Sequence, residues 1–128
     1  MSAVTTNLTL VRGDTDALTV TVGNLGASGL NAFSDVRFTA KRDASDADSA
    51  AIISKVLGAG ITITTVGNAT TDGVLSIAIA PADTTTTLPA GYTVTLVYDV
   101  RLYDASGDAY TVAQGVITVS PTATQATS

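Results

Sequence analysis

LPAGYTVTLVYDVRLYDASGDAYTVAQGVITVS, residues 88–120, reads as one long β-hairpin. Tyr92, Val94, Leu96, Tyr98, Val100 and Leu102 share one face, and Thr93, Thr95, Asp99 and Arg101 share the other. Only Val97 and Tyr103 break the alternation. A period of two marks an antiparallel strand with one face buried and one in water. Residues 104–108 (DASGD) supply the turn, with Gly107 available for its left-handed position. On the return strand Tyr110 and Val112 are even-numbered, whereas Ile117 and Val119 are odd. A two-residue period cannot change parity without an inserted residue, so a β-bulge is expected near Gln114-Gly115.

Working outward, the same pattern recurs in shorter pieces. Residues 7–12 (NLTLVR) form a first strand, and 12–16 a turn. In residues 17–23, Leu18, Val20 and Val22 alternate with Thr19 and Thr21. A Gly- and Asn-rich loop covers 24–33, and residues 36–41 bury Val36, Phe38 and Ala40 while exposing Arg37, Thr39 and Lys41. Residues 43–49 form an acidic loop. The apolar run 50–57 fits a short helix or a strand, and its length does not arbitrate. Strands follow over 61–66 and over 74–80, where Leu75, Ile77 and Ile79 point inward, with a turn over 68–73 between them. Pro81-Ala82-Asp83-Thr84 opens a helical turn, with Asp83 as its N-cap. The sum is about seven strands and one short helical turn, the range of an antiparallel β-sandwich. Residues 1–120 make one domain and 121–128 a polar tail.

Composition agrees. The chain has 128 residues, enough for one core without a metal or disulfide. Thr and Val are abundant and suit a pleated surface. Glu is absent, so all 11 acids are Asp, which favours turns over helix interiors. Charged residues make up only 13%, and the net charge is −5. An acidic balance disfavours nucleic-acid phosphate and anionic membrane surfaces as partners. No apolar run is long enough to cross a bilayer, and the start MSAVTTNLTL does not read as a secretory signal. Without Cys, His or Glu, most familiar catalytic and transition-metal constellations cannot be assembled.

Several residues invite a functional reading, and each has a plainer one. Arg12-Gly13-Asp14 is the tripeptide of integrin ligands, but it falls where a strand-to-strand turn is needed. Asp43, Asp46 and Asp48 could offer oxygens to calcium, yet the loop lacks the central Gly and terminal Glu of a calcium loop, so a solvated acidic loop is preferred. Asp99 and Arg101 share a polar face as a weak ion pair. Asp99 with Asp83 as a glycosidase acid pair would need an aromatic cleft for which the sequence has no evident residues. Gly58-Ala59-Gly60 lacks the rest of a phosphate loop and reads as a turn. The four tyrosines are core or edge packing, and Tyr103, on the otherwise polar face, is the one to expect as an exposed interface anchor. No catalytic, cofactor-binding or metal-binding residue is assigned.

Three segments together resemble a known group. They are VRGDTDALTVTV (11–22), DVRFTAKRD (35–43) and the long stretch from Gly73 to Pro121. The pattern runs GDT, V-R-F-T-x-K-R, G separated by seven residues from P-x-D-T, L-P-A-G-Y, and Y-D-V-x-L-x-D-x-x-G-x-x-Y-T-V. It is similar to small virion proteins of tailed bacteriophages, whose β-sandwich also resembles the N-terminal domain of the phage baseplate upper protein. The resemblance spans roughly residues 10–121. It implies an immunoglobulin-like sandwich, located in the virion, that docks on other virion proteins and forms homo-oligomers, with no enzymatic activity and no cofactor. No receptor-binding or fibre-attaching region follows Pro121, so the expectation is a head-decoration or a neck, tail or baseplate accessory subunit. A carbohydrate-binding or host-adhesion module is the alternative. The polar ends, 1–6 and 121–128, are expected to become ordered across neighbouring subunits.

Overall fold

The computed structural model describes residues 4–85 and 91–121. It is all-β. The strands are β1 (Val4–Thr5), β2 (Leu8–Val11), β3 (Asp16–Val22), β4 (Phe33–Lys41), β5 (Ile53–Leu57), β6 (Gly60–Thr65), β7 (Gly73–Ile79), β8 (Val94–Asp104) and β9 (Ala109–Ser120). One short helix, α1 (Pro81–Thr85), and two 3-10 turns, Gly29–Ala32 and Asp48–Ala50, complete the described elements.

Hydrogen bonding follows the order β1-β9-β8-β4-β5-β6-β7-β3, with β2 also on β9. The join between β5 and β6 is only two residue pairs long, Val56 with Gly60 and Leu57 with Ile61. The path therefore turns a corner there and separates into two layers. One holds β1, β2, β9, β8, β4 and β5; the other holds β6, β7 and β3. The all-β class is the one expected, and the inward residues on both sides of this join pack against one another. The arrangement differs from an ideal sandwich in the stitched corner, which brings it part of the way to a closed barrel. Nine strands replace the expected seven or so because β1 pairs separately and because residues 53–57 resolve to a strand.

The inward residues of both layers form a single core. Phe38 from β4, Leu75 and Ile77 from β7, Leu96 and Leu102 from β8 and Ile117 from β9 are fully buried. Each such side chain contributes about 1.5–3 kcal/mol on burial. The loop after β3 is less superficial than its Gly/Asn content suggests. Leu25 and Leu30 are buried, and the Leu30 N–H donates to the Val66 carbonyl at 2.8 Å, so the 3-10 turn plugs one end of the sandwich.

The hairpin follows the expected register with one adjustment. Val94 faces Val119 and Val100 faces Ala113, but Arg101 faces Thr111. The extra residue is thus Val112, two positions before the expected Gln114. Val112 and Ala113 are both buried, which is how the apolar parity changes. Gly115 serves a different purpose: it lets the Thr6 carbonyl come close to β9. The turn is held by Asp104, whose Oδ1 accepts from the N–H groups of Ser106 (2.9 Å) and Asp108 (3.0 Å).

Three further expectations need correction. Tyr92 does not join the buried face of β8; it is 69% exposed, because it precedes the point where the strand begins to pair. Asp83 is not an N-cap but lies inside α1, and its Oδ2 accepts from the Ala80 N–H at 2.7 Å, the reaching-back half of a capping box. The N-terminal residues from Val4 onward are not left for a neighbouring subunit. Val4 and Thr5 pair in parallel with Ala113 and Gln114, and the Thr6 N–H donates to the Gln114 carbonyl at 2.9 Å. Residues 1–3 and 122–128, and the L-P-A part of the L-P-A-G-Y segment, lie outside the described residues.

Candidate functional site

The outward face of the larger layer is a shallow groove. Along β8 the outward positions are Val97, Asp99, Arg101 and Tyr103; along β4 they are Arg37, Thr39 and Lys41, because β4 and β8 pair in register with Arg37 against Arg101 and Thr39 against Asp99. β5 contributes Ser54 and Val56, and β9 contributes Gln114 and Val116. The loop after β4 (Ala44, Asp48) and the N-terminal strap (Thr5, Asn7) raise its rims. Its volume is about 530 Å³. Val97 and Tyr103, the two residues that break the alternation of β8, both line it.

Its electrostatics are uneven. Arg37 Nε pairs with Asp35 at 2.8 Å, which holds the guanidinium more firmly protonated than usual. Lys41 Nζ pairs with Asp48 at 2.7 Å, which pulls the Asp48 carboxyl below its ordinary range, and it also donates to the Asp46 carbonyl at 2.8 Å. Arg101 is treated differently. Its guanidinium lies over the Tyr103 ring, 5.8 Å from the centroid, while that of Arg37 lies at 5.5 Å from the same ring. Arg101 Nε is buried with no hydrogen-bond partner among the described residues. Tyr103 is therefore not the exposed anchor expected; it is half-buried, and two guanidinium groups lie over its ring.

Asp99 and Arg101 lie on the same face as expected, but no ion pair within 4 Å joins them among the described residues. Partial burial pushes the Asp99 carboxyl above the ordinary carboxylate range, outweighing the opposing pull of Arg101 and Lys41. Between the unfolded value, about 3.9, and this raised value, the folded chain holds the extra proton. Stability therefore falls as pH rises through that window, and ionised Asp99 is a net cost above it. Asp99→Asn is expected to raise Tm by about 1–2 °C at pH 7, a small gain because the carboxyl is half in water, and to give no gain at pH 3. Thermal melts at the two pH values check this; an equal shift at both would remove the electrostatic account.

The other residues singled out from sequence are placed apart from the groove or spent within it. Arg12-Gly13-Asp14 is the turn from β2 to β3. The Gly13 N–H donates to Thr84 Oγ1 at 2.9 Å and the Arg12 guanidinium reaches the Thr85 carbonyl at 3.5 Å, so this arginine is folded onto α1 and not presented to a receptor. Asp43 Oδ1 accepts from the Ser45 N–H and hydroxyl, each at 3.0 Å, which lowers its pKa. Asp46 contributes its carbonyl and Asp48 its carboxylate to Lys41, so the three side chains do not converge. No group of three or more acidic side chains suited to a metal ion occurs among the described residues. Asp83 binds Lys55 Nζ at 2.8 Å and tethers α1 to β5, away from Asp99. Gly58-Ala59-Gly60 is the corner between β5 and β6.

Sequence reading missed the Arg37–Arg101 pairing. Each arginine was legible as outward-facing; which strand lies beside which was not. The available signal was the pair of apolar exceptions on β8. No helix of the described residues is long and apolar enough to cross a membrane. Comparison with known proteins found no matching family model and no matching curated protein.

Proposed function

We propose that the chain is a non-enzymatic structural subunit of a tailed-bacteriophage virion, docking on other virion proteins as a head-decoration or a tail, neck or baseplate accessory subunit. The observation that carries this reading is the way the segments of the resemblance meet in space. The GDT turn and the P-x-D-T turn are about seventy residues apart, yet the Gly13 N–H donates to Thr84 Oγ1, and Thr84 is fully buried. The Asp of the Y-D-V-x-L-x-D segment, Asp104, caps the hairpin. The shared positions thus build the frame and leave the outer surfaces for contact. The edge strands, β1 and β2 at one end of the path and β3 at the other, pair on one side only among the described residues and could extend a neighbour's sheet.

Peptide mass spectrometry of density-purified particles from the source culture tests this. The expected result is the chain at a fixed copy ratio to a major capsid or tail protein across preparations. Its absence from washed particles, with the chain present in the lysate, overturns the proposal. The exposed Tyr92 favours a second reading, a carbohydrate-binding or host-adhesion module, since an exposed ring is what a sugar face stacks on. A glycan array with reproducible hits lost in Tyr92→Ala would replace the first reading with this one.

A further inference from the structure

We infer that the Arg37–Tyr103–Arg101 cluster is an acceptor for a carboxylate presented by an acidic peptide segment of a partner protein lying along the groove. Three observations converge on it. Arg37 and Arg101 are direct cross-strand neighbours, and like charges in that position repel. The Tyr103 ring, which both approach, offsets part of the cost, since guanidinium groups are attracted to an aromatic face. Arg101 Nε is buried and unpartnered among the described residues, and a guanidinium N–H withheld from water without an acceptor is costly. A single carboxylate bound by both guanidinium groups relieves the repulsion, because the planar guanidinium matches carboxylate geometry with paired hydrogen bonds, and turning Arg101 toward it also frees the Nε–H.

Charge selects the sign of the ligand. The chain carries −5 overall and only six cationic side chains. Arg37, Lys41 and Arg101, half of them, line this one groove. Asp35 and Asp48 occupy the first two, which leaves Arg101 as the cation of this groove without a carboxylate partner among the described residues. Shape selects a peptide over a free ion. The groove is open and about 530 Å³, and beside the cluster it offers Thr39, Ser54 and Gln114 for main-chain hydrogen bonds. Val97 and Val116 offer apolar contact, so an acidic residue flanked by small apolar ones fits. That the donor is a protein rests on the assembly reading above; the carboxylate acceptor itself does not.

Nuclear magnetic resonance titration of the full chain tests the inference, following the arginine Nε–Hε signals. The probes are the capped peptide Ac-Thr-Val-Glu-Val-Thr-NH2, the same peptide with Gln in place of Glu, sodium glucuronate and inorganic phosphate. The expected result is saturable shifts at Arg101 and Arg37 with the Glu peptide, at least tenfold weaker with the Gln peptide. Arg101→Gln should weaken Glu-peptide binding at least tenfold, and Asp99→Asn, which removes the competing anion, should tighten it. Equal response to both peptides, or no response up to millimolar concentration, overturns the site. A response to glucuronate or phosphate but not to peptide overturns the peptide ligand. Concentration-dependent shifts at these arginines without any probe would assign the groove to a second copy of this chain and overturn it likewise. If Arg101→Gln does not fold, the Asp99→Asn and Gln-peptide arms still decide. Peptide binding by a chain that is absent from particles keeps the site and loses the phage reading; the reverse pattern loses only the site.

Discussion

Phe38→Ala is expected to lower stability by about 3–5 kcal/mol, the usual cost of truncating a buried aromatic. For a chain of this length that is a fall in Tm of about 10–20 °C. Phe38 is fully buried in the middle of β4, where it pairs with Lys55 of β5 on one side and Val100 of β8 on the other. Its ring is tilted against Tyr98 with 5.7 Å between centroids. It also lines a small apolar space of about 60 Å³ bounded by Leu18 and Val20 of β3 and Leu8 of β2. The ring therefore lies where the two layers and the two edge strands come together. Truncation would enlarge a space that already exists, and the surrounding strands are held by their ladders from collapsing into it. Thermal and denaturant melts check this. A Tm loss below about 5 °C would mean that the layers can close over the gap, and the picture of a rigid two-layer core would fail.

Gly115→Ala is the second large effect. Gly115 has φ 154°, outside the range comfortable for a residue with a side chain, and a Cβ there would overlap the Thr6 carbonyl. The N-terminal strap crosses β9 at this point. The Thr6 carbonyl also accepts from the Tyr98 hydroxyl at 2.7 Å, and Asn7 Oδ1 accepts from the Val116 N–H at 3.3 Å. The backbone strain alone costs about 1–3 kcal/mol, and displacing the strap adds to it. Hydrogen exchange should show lost protection at the Thr6 and Val116 amides while the β4–β8 ladder keeps its own. The same substitution in a chain lacking residues 1–7 should cost much less, because the obstructing carbonyl is gone. An equal cost in both backgrounds would show that the strap is not what demands glycine.

These two sites show how differently the fold could be read from the chain. The inward placement of Phe38 follows from the alternation of Val36, Phe38 and Ala40, since successive side chains on a strand point to opposite faces. The parity change on β9 announced a bulge somewhere between Val112 and Ile117, because a period of two permits no other solution. Its location was not legible. Gly115 is the residue that sequence reasoning favours for an irregularity, but the chain uses it for a close approach by a segment more than a hundred residues earlier. The ladder instead accommodates the extra residue at Val112, where both Val112 and Ala113 can be buried.

The groove divides in the same way. Asp99, Arg101 and Tyr103 were legible as outward neighbours because they are two residues apart on one strand. Their ion pair was expected and is not formed; Arg101 turns to the Tyr103 ring instead. Asp43, Asp46 and Asp48 were legible as a cluster in sequence, yet one binds Ser45 and the others serve Lys41, because a loop can direct adjacent side chains apart.

The strand faces, the hairpin, its turn and the all-β class are legible along the chain, since these depend on periods of two residues and on turn chemistry within a few positions. Which strands are neighbours emerges only in the folded chain: β4 beside β8, the N-terminal strap beside β9, the Gly13 turn against Thr84. Those pairings depend on the burial of many side chains at once, and no single strand carries the information. The arginine cluster exists only because one such pairing sets Arg37 opposite Arg101.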